Sequence, residues 1–270
     1  NNVKKNKKIK VVLLKSTGPS FCSGHDLKEV RRFSNSEKQL NNLFKRCSKM
    51  MMTLRELPQP VIACVDGLAS AAGCQLIASC DLVIATKNSS FQTPGVNIGL
   101  FCSTPMVAIS RKVASKDMMY MLLTGEKIKA KQAKDFKLIN IVVEKKHFDN
   151  EINSMVKKLL KKSFQSIKIG KIAFYNQMEM PLDKAYNYTS KVMTINMKEE
   201  EAKEGIDAFV KNVKLQDVNS IRAKVEEIGK TGQIPPLKAQ TPDEDVEKGA
   251  PKTYEVPVLF DNSDFFAYRS

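Results

Sequence analysis

Two short apolar runs, Val61–Val65 and 82–85, sit between turn residues without alternating with polar ones. That is the pattern of parallel strands buried on both faces. The segment 10–15 (KVVLLK) predicts another such strand, and 139–143 a last one. Over 36–56 the apolar positions Leu40, Leu43, Phe44, Cys47, Met50, Met51 and Leu54 recur at spacings of three and four. This spacing predicts an amphipathic helix with Ser36 as N-cap, ended by Leu57-Pro58-Gln59-Pro60, and with the Met50-Met51-Met52 run packed in the core. Further helices are predicted over 104–113, 117–123, 130–135, 148–162 and 165–178, and a single one over 182–212.

Between the two apolar runs, Ala69-Ser70-Ala71-Ala72-Gly73 carries almost no side-chain bulk and leads into a helix at 74–79. Small residues there let another backbone or a ligand come close. Unpaired N–H groups at the start of that helix can hold an anion or an oxyanion.

Composition narrows the classes. A chain of 270 residues with 42% hydrophobic content can bury one large core. The longest apolar window, 61–85, is interrupted by Asp66, Gln75 and Asp81, which argues against a membrane span. The net charge of +15 invites a partner such as RNA or an anionic membrane. The lysines are spread along the chain, however, which favours a solvated surface. Six cysteines without CxxC spacing predict buried, reduced thiols, and two histidines leave little for a metal site. No metal or resident cofactor is expected.

Three motifs stand in order: FCSGHDLKE at 21–29, VDGLASAAGCQLIASCDLVIAT at 65–86 and FQTPGVNIGL at 91–100. Together they resemble the crotonase (enoyl-CoA hydratase/isomerase) superfamily. GHDLKE, AAGCQL and TPGVNIGLFCSTP give the look of its mitochondrial enoyl-CoA hydratase domain-containing protein 3 subgroup. The resemblance implies an α/β fold, a crotonase-type spiral of ββα turns with a helical C-terminal region. The N-terminal hairpin and helix usual in the family are expected to be missing. The implied organisation is a basic, mobile arm over 1–8, a spiral core over 9–143, C-terminal helices over 144–213 and an extension over 214–270. From residue 241 on, acidic residues outnumber basic ones seven to three, and aromatic runs follow. The stretch 241–270 is therefore expected to dock on a partner or on the chain's own core.

Crotonase chemistry polarises a coenzyme A thioester carbonyl with two backbone N–H groups. The resemblance assigns those donors to His25 and Ala72. Ser23, Gly24, Asp26, Leu27 and Gly73 are then expected around the substrate, with Asp26 fixing its loop and Glu29 on a helix surface. Hydration also needs a general acid and base, a pair of glutamates in the hydratases, and here Gln75 and Gly95 occupy their places. An amide cannot exchange a proton near neutral pH, and glycine has no side chain. Cys102 and Ser103 lie nearby without a histidine placed to activate them. The expected function is acyl-CoA binding in mitochondrial fatty-acid metabolism without ordinary hydratase activity, as a homotrimer or hexamer. The alternative is a pseudoenzyme serving as a structural subunit of a large mitochondrial assembly, such as a respiratory complex, ATP synthase or ribosome.

Overall fold

The computed structural model describes residues 2–6, 8–212, 237–240 and 253–256. The chain forms two compact units, Asn1–Glu199 and Glu200–Ser270. The first begins with a helical turn α1 (Asn2–Lys5), strand β1 (Val12–Leu14), strand β2 (Ser20–Cys22), helix α2 (Leu27–Arg32) and the long helix α3 (Glu37–Glu56). Next come β3 (Val61–Val65), β4 (Leu68–Ser70), α4 (Ala72–Ala78), β5 (Leu82–Thr86) and β6 (Ser90–Gln92). A 3-10 turn at Pro94–Ile98 leads to α5 (Ser103–Ile109), α6 (Ser115–Thr124), β7 (Ile128–Lys129), α7 (Ala130–Asp135) and β8 (Ile141–Val143). Helices α8 (Phe148–Leu160), α9 (Phe164–Gln177) and α10 (Leu182–Met197) complete the unit.

Strands alternate between two sheets. One runs β1-β3-β5-β8, all parallel; the other runs β2-β4-β6-β7, with only β6–β7 antiparallel. Each turn of chain thus lays one strand in each sheet and crosses back by helix, which is the ββα spiral. The apolar run Val61–Val65 is buried throughout because both faces are covered. Val61, Ala63 and Val65 pack into the core with Phe91 and Ile77, whereas Ile62 and Cys64 meet Phe148 and Ile152 of α8.

Several local expectations are corrected. The segment 1–8 is not a loose arm throughout: Val3 packs on the core, and the buried Gln59 amide donates to the Val3 and Ile9 carbonyls at 3.1 and 3.3 Å. The helix expected over 182–212 is broken, because the chain turns at Lys198-Glu199 before α11 (Glu200–Asn212) of the second unit. The helix expected over 104–113 ends at Ile109. Of the methionine run only Met51 is buried; Met50 and Met52, on either side of it, are exposed, and Met52 reaches the rim of a pocket. Ser36 caps α3 as predicted, its hydroxyl accepting from the Gln39 N–H. Most of the extension expected over 214–270 lies outside the described residues. Its described part is an antiparallel pair, β9 (Leu237–Gln240) with β10 (Thr253–Val256).

Candidate functional site

The loop after β2 and the start of α4 meet because glycine stands at both contact points. Gly73 lies so close to β2 that a Cβ on it would be 2.1 Å from the Cys22 carbonyl oxygen. Gly24 adopts φ +100°, and a Cβ there would be 3.2 Å from Ser70 O and 3.4 Å from Ala72 N. No L side chain fits that combination of space and backbone angle. Ala71 between them is itself at φ +49°, ψ −112°, a sparsely populated region that costs on the order of 1–3 kcal/mol. Its N–H donates to Gln92 O at 3.0 Å and ties the turn to β6.

This packing brings the segments carrying His25 and Ala72 together. The N–H groups of both residues make no hydrogen bond among the described residues. Ala72 and Gly73 are buried. The His25 imidazole turns toward α3 and meets Phe44 edge-on, 5.4 Å between ring centres. Partial burial there holds its pKa below the ordinary 6.5, with Glu29 opposing weakly. Asp26 caps α2 by accepting from the Lys28 N–H at 2.8 Å, and Glu29 sits in the first turn of that helix. Ser23 and Leu27 are exposed.

Gln75, one turn beyond Ala72, is buried, and its carboxamide oxygen has no partner. Gly95 opens the 3-10 turn, where a Cβ would be 3.0 Å from Leu100 O and 3.1 Å from Cys102 Sγ. A Cβ at position 95 fits once Leu100 and Cys102 give by a few tenths of an ångström. Cys102 is buried, its thiol pKa raised by burial, and Ser103 is exposed. Burial pushes Cys64 up to about 11 and Cys74 and Cys80 up to about 12, so these thiols stay protonated and unreactive near neutral pH.

Two features escaped the sequence reading. One is a pocket of about 440 Å³ walled by α3, α4, α5 and the end of α9, into which Gln75 faces. The other is a buried ion pair behind it. Lys171 Nζ lies 2.6 Å from Asp81 Oδ2 and also donates to the Leu54 and Gln59 carbonyls. Asp81 further accepts from the Tyr175 hydroxyl and the Val61 N–H. The only hint in the sequence is a charge inside each of two otherwise apolar stretches.

Comparison with known proteins agrees with this architecture. The family model described as enoyl-CoA hydratase/isomerase matches residues 1–217. Human enoyl-CoA hydratase domain-containing protein 3, mitochondrial, is 44% identical over 206 residues, which are 76% of this chain and 68% of that protein. The short-chain-enoyl-CoA hydratase of Clostridium acetobutylicum is 28% identical over 77% of this chain and 79% of its own. The crystal structure of an enoyl-CoA hydratase from Mycobacterium smegmatis superimposes with a TM-score of 0.76 at 43% identity, covering 78% of this chain and 81% of that one. The spiral of two sheets, the glycine-mediated contact of β2 with α4 and the match over residues 1–217 lead to one conclusion: this chain belongs to the enoyl-CoA hydratase/isomerase family.

Proposed function

We propose that the protein binds an acyl-CoA thioester in mitochondrial fatty-acid metabolism and does not carry out ordinary enoyl-CoA hydration. The rat, mouse and human relatives are named as mitochondrial, and this chain is assigned to the same compartment. The observation that carries the binding reading is the pair of unpaired N–H groups at His25 and Ala72, held together by Gly24 and Gly73. Two donors held by a fixed backbone suit a thioester carbonyl and the negative charge that develops on its oxygen. His25 contributes its backbone; its imidazole packs on Phe44 instead. Gly24, Gly73 and the Ser23–Leu27 loop shape the rest of the cleft, with Asp26 capping α2 to hold that loop.

Proton transfer is the missing half. Gln75 offers a neutral amide, and Gly95 offers no side chain. Positioned acid–base groups each contribute about 10²–10⁴-fold. Losing both leaves a site that polarises a carbonyl without activating water.

A second reading keeps the fold as a structural subunit. It is favoured by the exposed apolar side chains of α9 and α10, among them Phe174, Leu182, Tyr186, Met193 and Ile195. Such a surface suits either copies of this chain or a larger assembly.

Titration calorimetry with acyl-CoA thioesters of graded length, alongside a crotonyl-CoA hydration assay, tests the proposal. Saturable binding without hydration is expected. Measurable hydration overturns the non-catalytic part. Absence of affinity for every thioester overturns the binding part and favours the structural subunit. Native mass then separates partners: three or six copies of the 30.3 kDa chain mark a self-assembled protein, and co-migration with a larger complex marks a subunit.

A further inference from the structure

The pocket beside Gln75 is chemically two-sided. Met51, Met52, Val107, Ala108 and Met178 give it apolar walls suited to methylene groups. Arg55, Arg111 and Lys112 also line it, with Glu179 as the one carboxylate among the lining residues. Glu179 lies 3.5 Å from Arg55 and 3.7 Å from Arg111, so those two cations have a counter-charge. Asp81, the carboxylate whose charge acts on Lys112, is occupied by Lys171, Tyr175 and the Val61 N–H. Lys112 has no salt-bridge partner among the described residues. Its ammonium sits over the Tyr175 ring at 5.4 Å, and the Arg55 guanidinium covers the same ring at 4.7 Å. Burial and Arg55 disfavour the charge on Lys112, and Asp81 offsets them only in part. A half-buried cation without an ion-pair partner on the wall of an apolar pocket is stabilised when an anion arrives.

The lining of the pocket includes neither His25 nor Ala72, but it runs along the helix that Ala72 begins. Gln75, Ala78 and Ser79 line it in succession along α4, starting one turn after Ala72. At a rise of 1.5 Å per residue, Ser79 lies about 10 Å from Ala72 along the helix. The cationic residues gather at the Ser79 end, because Tyr175, which Arg55 and Lys112 both cover, is bonded to Asp81.

From this arrangement we infer that the pocket takes the tail of an acyl thioester whose far end carries a carboxylate, received by Lys112. The ligand class is the monothioester of a medium-length dicarboxylic acid. Methylene groups lie against the methionine and valine wall, and the terminal carboxylate supplies the counter-charge that Lys112 lacks. This inference rests on the acyl-thioester reading above, and its test separates the two.

Octanoyl-CoA and suberyl-CoA differ by the terminal carboxylate, and their affinities for the full chain are compared by titration calorimetry. Suberyl-CoA is expected to bind at least about tenfold tighter, the effect of one charge-assisted hydrogen bond. In Lys112→Met the ratio falls to near one, and in Lys112→Arg the preference persists. Equal affinities in the unsubstituted protein overturn the inference and leave the acyl-thioester reading standing. A preference that survives Lys112→Met overturns the assignment to Lys112. Failure of both ligands to bind overturns the acyl-thioester reading and the inference with it.

Discussion

Substituting Gly73 by alanine probes the contact on which the site depends. The added Cβ would be 2.1 Å from the Cys22 carbonyl oxygen, 2.9 Å from its carbon and 3.0 Å from the Cys22 Cβ. A carbon and a carbonyl oxygen settle no closer than about 3.3 Å, so β2 and α4 must part by roughly 1.2 Å. The obstacle is backbone, which cannot rotate away as a side chain does. Overpacking of this kind costs on the order of 1–3 kcal/mol, and the value here belongs at the top of that range. Alanine returns up to about 1 kcal/mol through its better helix propensity. The net loss is therefore about 2 kcal/mol, measured as a lower urea midpoint at unchanged slope. Gly170 in the middle of α9 is the matched control, since a Cβ there meets nothing within 4 Å. Gly170→Ala is expected to stabilise by up to about 1 kcal/mol, the opposite sign. Because β2 carries the Gly24-His25 loop, Gly73→Ala also moves the His25 N–H, one of the two proposed donors, by about 1 Å, a displacement able to cost on the order of 10²-fold in an oriented site. Thioester affinity falls with stability in Gly73→Ala and stays unchanged in Gly170→Ala. Equal stability of the two variants would refute this account of the contact.

Lys171→Met leaves the Asp81 carboxylate buried with only the Tyr175 hydroxyl and the Val61 N–H, and is expected to cost about 3–5 kcal/mol in urea unfolding. Adding Asp81→Asn should recover part of that loss; no recovery would show that the charge left behind is not its source. His25 enters the folded chain with a pKa below its ordinary 6.5. Between the folded pKa and 6.5 the unfolded chain binds more protons, so stability is full above 6.5 and declines as pH falls through that window. An NMR titration placing the imidazole above 6.5 contradicts this, and His25→Phe should flatten the acid slope of stability.

What the sequence disclosed follows from how local each feature is. The apolar run Val61–Val65 and the helix Glu37–Glu56 were legible because burial on two faces, or on one stripe, writes a period into consecutive residues. Strands β2, β4 and β6 span three residues each, and each mixes serine with apolar residues. They are held by parallel ladders to partners far along the chain, so no local period announces the second sheet. The break at Lys198-Glu199 has neither glycine nor proline, and only its turn hydrogen bonds to Ile195 and Asn196 reveal it. The candidate site divides in the same way. The half proposed to polarise the carbonyl is backbone, and backbone that must approach closely demands glycine and alanine in sequence order, as in SGHD and SAAG. The half proposed to take the tail is made of side chains from four separate segments, Arg55 on α3, Gln75 on α4, Lys112 just past α5 and Tyr175 on α9. None of these is unusual beside its neighbours in sequence. The half proposed to receive the thioester carbonyl is thus written into motifs, whereas the half proposed to take the acyl tail emerges only when α3, α4, α5 and α9 pack, and that is why Lys112 rather than Gln75 or Gly95 is the residue to test for specificity.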